Sequence, residues 1–160
     1  MLRRTLLTGA GALLAAPALA QPAAARLLRY VPQTDLTVLD PVFTTAYVTR
    51  HHALMVYDQL YGLDAQLRPQ PQMVEAHEVE ADGLTWRFRL RDGLRFHDGA
   101  PVRGRDCIAS IRRWAQRDGL GQVLLARVAE MAAPDDRSFA IRLHRRFGPA
   151  AQLGVPPRGT

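Results

Sequence analysis

The sequence predicts a mixed α/β domain, and three observations carry that expectation. Two short strand-like runs, residues 77–81 and 85–91, flank the turn pair Asp82-Gly83 and read as a β-hairpin. Residues 104–117 read as an amphipathic helix, because Cys107, Ile108, Ile111, Trp114 and Ala115 recur at i, i+1, i+4, i+7 and i+8. Residues 138–143 alternate again, with Phe139, Ile141 and Leu143 on one face. A chain of 160 residues with 48% hydrophobic content is long enough to bury a core. One cysteine excludes an internal disulfide framework.

Residues 1–20 read as an export signal. Arg3-Arg4 form its positive start, Leu6-Leu7 to Ala15-Ala16 its short apolar middle, and Ala18-Leu19-Ala20 the small residues before a cleavage between Ala20 and Gln21. The paired arginines are similar to a twin-arginine signal, although Leu2 stands where Ser or Thr is usual. Export to the periplasm is therefore expected, by that route or by general secretion. Without this segment the chain carries 19 arginines against 15 acids, a moderate surplus with the signs interleaved. Every basic residue is arginine, which reads as genome composition rather than as a site.

The remaining elements follow in order. Residues 27–31 form a strand candidate stopped by Pro32, and residues 33–45 a threonine-rich loop. Residues 46–60 have near-helical apolar spacing, with Thr44 or Thr45 as cap and Gly62 as stop. Residues 63–71 are expected to be irregular, since Pro69 and Pro71 oppose regular pairing. Asp92-Gly93 and Asp98-Gly99 mark two more turns. Residues 120–131 repeat a helical pattern through Leu120, Leu124, Val128 and Met131.

Candidate chemistry is sparse. His51-His52 are adjacent, so on a helix they point about 100° apart and grip one ion poorly. His97-Asp98 is an acid–base dyad or a turn closed by Gly99. Cys107 sits on the apolar stripe of its helix, as a small hydrophobe would. Arg87, Arg89, Arg91 and Arg95 interleave with Trp86 and Phe88, which leaves a small basic nucleic-acid-binding domain as the alternative reading. An RNA-binding sheet, however, exposes its aromatics and its basic residues on one face, and strict alternation separates them here. No nucleophile–base constellation, metal motif or cofactor motif is present, so the chain is not expected to be an enzyme.

The middle of the chain is more specific than its composition. Tyr57-Asp58-Gln59-Leu60-Tyr61-Gly62-Leu63-Asp64 is followed by Leu67-Arg68-Pro69, Glu75-Ala76 and the long run from Gly83-Leu84-Thr85-Trp86 to Phe96-His97-Asp98-Gly99-Ala100-Pro101-Val102. This closely resembles the signature region of the family 5 extracellular solute-binding proteins of ABC importers, over roughly residues 27–149. The resemblance implies the N-terminal part of a periplasmic binding protein type II-like two-lobe fold, incomplete here because family members are several times longer. It implies capture of a peptide or other small solute by lobe closure, delivery to an ABC permease in the inner membrane, a monomer, no cofactor and no nucleic acid. It places any local ligand contacts at Thr44, Thr45, Ala46 and Tyr47. Two departures are Arg103, where a Thr or Ser cap is usual, and Arg146, where Pro is common. The domain organisation expected is signal 1–20, solute-binding part 21–149, and an irregular tail 150–160 of the kind a truncation or frameshift leaves.

Overall fold

The computed structural model describes residues 29–147. The export signal, the cleavage position Ala20–Gln21 and the tail 150–160 lie outside the described residues. The chain divides into two units, residues 1–33 and 34–160. Of the first, residues 29–33 carry no strand, which corrects the expectation for residues 27–31 as far as it is described. An apolar run becomes a strand only where a neighbouring backbone accepts its ladder, and periodicity cannot supply that neighbour.

The second unit begins with α1 (Tyr47–Val56) and a two-stranded ribbon of β1 (Tyr61–Leu63) and β2 (Pro69–Pro71). It continues with β3 (Val74–Val79), β4 (Thr85–Leu90), α2 (Gly104–Ala115), α3 (Gly119–Leu125), β5 (Val128–Ala132) and β6 (Ser138–Leu143). The last four strands form one antiparallel sheet in the order β3-β4-β6-β5. The expected hairpin is β3–β4: Gly83 turns at φ 70°, and Asp82 Oδ1 accepts from the Leu84 N–H at 2.8 Å. Alternation along β4 holds, with Phe88 and Leu90 buried and Arg87 and Arg89 outside.

Three element boundaries differ from expectation for local reasons. First, α1 stops at Val56 rather than running to residue 60, because backbone pairing captures the chain beyond it. The Gln72 N–H donates to Leu60 O at 3.1 Å and the Met73 N–H to Gln59 O at 3.0 Å. Neither threonine caps this helix: Ala46 is the N-cap, and Thr44 Oγ1 accepts from the Ala46 N–H at 3.2 Å in a turn of its own.

Second, residues 69–71 pair regularly despite two prolines. Hydrogen bonds at Asp64–Arg68 and Leu60–Gln72 bracket the Gly62↔Gln70 pair. Antiparallel alternation then leaves Pro69 and Pro71 at positions whose nitrogens point out of the ladder. Third, residues 120–131 are not one helix. α3 ends at Leu125, and Val128 and Met131 belong to a strand whose bulge between Val128 and Glu130 lets a spacing of three serve one face.

The core lies between the inner face of the sheet and α2 with α3. Phe88 and Phe139, cross-strand partners, stack with ring centroids 4.8 Å apart, and Leu90, Cys107, Ile108, Leu124, Ile141 and Leu143 belong to the same buried cluster. The outer face is charged and internally neutralised: Arg87 meets Glu80 at 2.9 Å, Arg89 meets Glu75 at 3.2 Å and Arg142 meets Glu130 at 3.1 Å. Arg103 leaves α2 half-capped. Asp106 Oδ2 accepts from the Arg103 N–H at 2.8 Å, but a guanidinium carries only donors and cannot accept in return. Arg146 donates to Asp82 O at 2.7 Å and lies over Gly83, giving it a place in the hairpin turn.

Candidate functional site

α2 and α3 roof only part of the sheet. Beside them lies an open, mainly apolar cleft of about 1050 Å³. Trp86 and Phe88 on β4, Ile111 and Trp114 on α2, and Ala53 and Leu54 on α1 line it. Residues 39–42 form another part of its wall.

Directed polar contacts hold this wall in place. Thr49 is buried, and its hydroxyl donates to Val38 O at 2.7 Å. Asp40 accepts from both ends of the Arg113 guanidinium, so residues 39–42 are tied to α2, and the Arg117 guanidinium lies 5.3 Å from the centre of the Phe43 ring. Hydrogen bonds from Arg113 and then from the Val42 N–H hold the Asp40 carboxyl at about 2, below its ordinary 3.8.

Because the folded value is depressed, the stability contribution of Asp40 is present above about pH 4 and is lost as pH falls through about 2. Asp64 and Asp135 are lowered as well, chiefly by the backbone N–H groups of Arg68 and Arg137, so they share that acid limb. Asp40→Asn is therefore expected to make the urea midpoint fall less steeply between about pH 4 and pH 2 without removing the fall. An unchanged slope would show that Asp40 is not tied to Arg113 in solution.

Two further groups lining the cleft, Tyr61 and Cys107, are shifted by burial. Burial pushes the Tyr61 hydroxyl up to about 12, and Tyr61 Oη is buried with no hydrogen-bond partner among the described residues. Burial, and then the charge of Asp106, push the Cys107 thiol up to about 11. A thiol held that high is not a nucleophile at neutral pH. Among the described residues, no three His, Cys, Asp or Glu side chains converge as metal ligands would.

The sequence-derived candidates sit as follows. Thr44, Thr45, Ala46 and Tyr47 lead into and open α1, outside the lining of the cleft, and the Tyr47 ring is 62% exposed. The Arg50 guanidinium lies 5.5 Å from the centre of that ring. His51 and His52 follow on the same helix. Asp98 is engaged as a turn residue, its Oδ1 accepting from the Ala100 N–H at 2.9 Å beside Gly99 at φ 86°. Arg87 and Arg89 face away from the aromatics and are paired with glutamates, unlike the shared face of an RNA-binding sheet. Sequence reasoning missed the cleft. Its available signal was Leu54-Met55-Val56-Tyr57, four consecutive apolar residues that no single helix face can bury.

Comparison with known proteins is consistent with this architecture. The family model described as bacterial extracellular solute-binding proteins, family 5 Middle, matches residues 68–157. The chain is 47% identical over 143 residues to the probable peptide ABC transporter periplasmic-binding protein y4tO of Sinorhizobium fredii, covering 87% of this chain and 27% of that protein. It is 29% identical over 126 residues to the glutathione-binding protein GsiB of Shigella boydii, covering 78% of this chain and 25% of that protein. Among solved structures, MoaA of A. tumefaciens R10 in complex with mannopinic acid aligns at a TM-score of 0.64 and 26% identity, over 74% of this chain and 25% of that one. Haemophilus influenzae OppA with the peptide RPPGFSPFR aligns at 0.56 and 22% identity, over 66% of this chain and 24% of that one, a likeness of fold. The chain thus spans about a quarter of the length of these relatives. With more than half of its residues matched by the family model, the chain belongs to the bacterial extracellular solute-binding proteins of family 5.

Proposed function

We propose that this chain is part of the solute-capturing subunit of an ABC importer, taking peptides or similar small solutes in the periplasm and handing them to a permease in the inner membrane. The observation that carries this reading is the 47% identity, across 87% of the chain, to a protein named as a peptide ABC transporter periplasmic-binding protein. The protein acts by binding, without a chemical step, and as a monomer. Capture is a change of population: the solute contacts both lobes only when they are closed, and so stabilises the closed state. Residues 1–20 direct export and are removed after Ala20. Thr44, Thr45, Ala46 and Tyr47 are the local solute contacts, since the exposed Tyr47 ring offers a stacking face beside the positive charge of Arg50.

The test is calorimetric titration with a peptide library of two proteins: the 160-residue chain, and a chimera in which this chain replaces the matched quarter of y4tO. The chimera is expected to bind a peptide with a dissociation constant on the order of micromolar, and the chain alone to bind none. A folded chimera that binds no peptide would refute the reading. Micromolar binding by the chain alone would refute the requirement for a second lobe.

A further inference from the structure

The sequence contains four Asp-Gly pairs, at residues 82–83, 92–93, 98–99 and 118–119. Two of them stand in the same tetrapeptide, Arg91-Asp92-Gly93-Leu94 and Arg117-Asp118-Gly119-Leu120. An aspartate followed by glycine is open to attack by the next backbone nitrogen, since glycine has no Cβ to obstruct the approach. Whether the attack occurs depends on where the carboxyl and that nitrogen are held, and the fold holds these four differently.

At three pairs the carboxyl is bonded further along the chain. Asp82 Oδ1 accepts from the Leu84 N–H at 2.8 Å and Asp98 Oδ1 from the Ala100 N–H at 2.9 Å. The intervening glycine amides are spent as well: the Gly83 N–H donates to Glu80 O at 2.8 Å and the Gly99 N–H to Phe96 O at 2.9 Å. Asp118 caps α3, its Oδ1 accepting from the Gly121 N–H at 3.0 Å. Asp92 is the exception. Its Oδ1 accepts at 3.0 Å from the N–H of Gly93, its own neighbour. The Asp92 side chain is 91% exposed, and a Cβ built on Gly93 meets nothing within 4 Å, so the turn has room to close. Arg137 stands 3.8 Å from the Asp92 carboxylate, too far to hold it.

We propose that Asp92-Gly93 is a site of spontaneous isoaspartate formation, selected by this turn from four equivalent sequences. Gly93 N attacks Cγ of the neutral Asp92 carboxyl, and a C–N bond forms. The amide proton and the carboxyl hydroxyl leave together as one water, which gives a cyclic succinimide. Water then adds to either ring carbonyl. Breaking the new N–Cγ bond restores aspartate; breaking the original peptide bond leaves Gly93 joined through the Asp92 side chain, with a free main-chain carboxylate. The composition is unchanged, and the main chain gains one carbon between fully buried Leu90 and Leu94, which packs on the core. Atoms held at near-attack distance react far faster than atoms that must first be freed and turned. The modification is independent of which solute the protein takes.

The test ages the 160-residue chain for weeks at neutral pH, folded and in urea, and reads isoaspartate in each Asp-Gly peptide by electron-transfer fragmentation. In the folded chain Asp92 should convert about tenfold or more faster than Asp118, although their tetrapeptides are identical. In urea the two should convert alike. Equal rates in the folded chain, or faster conversion at any of the other three pairs, would overturn the proposal. So would a preference for Asp92 that persists in urea, because the turn would then not be its cause. Asp92→Glu, which would need a larger ring, should remove most of the methyl groups that an isoaspartyl O-methyltransferase adds to the aged protein from S-adenosylmethionine. Undiminished methylation of that variant would place the modification elsewhere and refute the assignment.

Discussion

Phe139→Ala is expected to lower the unfolding free energy by about 3–5 kcal/mol, read as a shift of the urea midpoint at constant slope. Phe139 is 1% exposed and sits on β6, a central strand of the four-stranded sheet. Its ring stacks on Phe88 with an interplanar angle of 16°, and the backbones of the two residues are register partners. Truncation removes the transfer energy of the ring, its stacking on Phe88 and the packing contacts of the surrounding cluster. Marginal domains hold roughly 5–15 kcal/mol in total, so this one change removes a large share. Tyr47→Ala provides the contrast: an exposed ring should cost less than about 1 kcal/mol. A loss below about 1 kcal/mol for Phe139→Ala would mean that the inner face of the sheet is not where stability resides.

The parts of this fold legible in the sequence are those whose energetics are local. Asp82-Gly83 predicted a hairpin because a turn needs a residue at positive φ, and Gly83 adopts 70°. The Cys107–Ala115 stripe predicted α2 because one helix face packs on one sheet, and Phe139, Ile141 and Leu143 predicted β6 by strict alternation. The misreadings share a different cause. Val128 and Met131 keep helical spacing yet lie in β5, because a bulge alters which residues share a face. Leu60 fits the pattern of α1 yet leaves it, because residues 72 and 74 donate to its carbonyl. Pro69 and Pro71 oppose a strand by composition, but whether a proline is tolerated depends on register, which only the partner strand sets. For the site, periodicity located the aromatic face of β4 but not the cleft beside it. An opening is a property of how α1, β4 and α2 are arranged, and no single segment encodes it.

Two glycines of α3 should respond to the same substitution with opposite signs. In an unobstructed helix, Gly→Ala stabilises by up to about 1 kcal/mol, because glycine is the more flexible in the unfolded chain. Gly119 has that freedom: a Cβ built on it meets nothing within 4 Å. Gly119→Ala should therefore raise the urea midpoint slightly. A Cβ on Gly121 would lie 2.4 Å from Ala115 Cα, a backbone atom of α2 that cannot swing aside. Ala115 is itself fully buried, so relief requires α3 to move off α2 and open the packing around Leu124. Overpacking of this kind costs about 1–3 kcal/mol, which outweighs the entropic gain, so Gly121→Ala should destabilise. Gly104 presents the same obstacle to α2, its Cβ falling 2.4 Å from Ser138 O on β6. If Gly119→Ala and Gly121→Ala moved the midpoint in the same direction, the close backbone approach of α3 to α2 would be wrong, and with it the roof that borders the cleft.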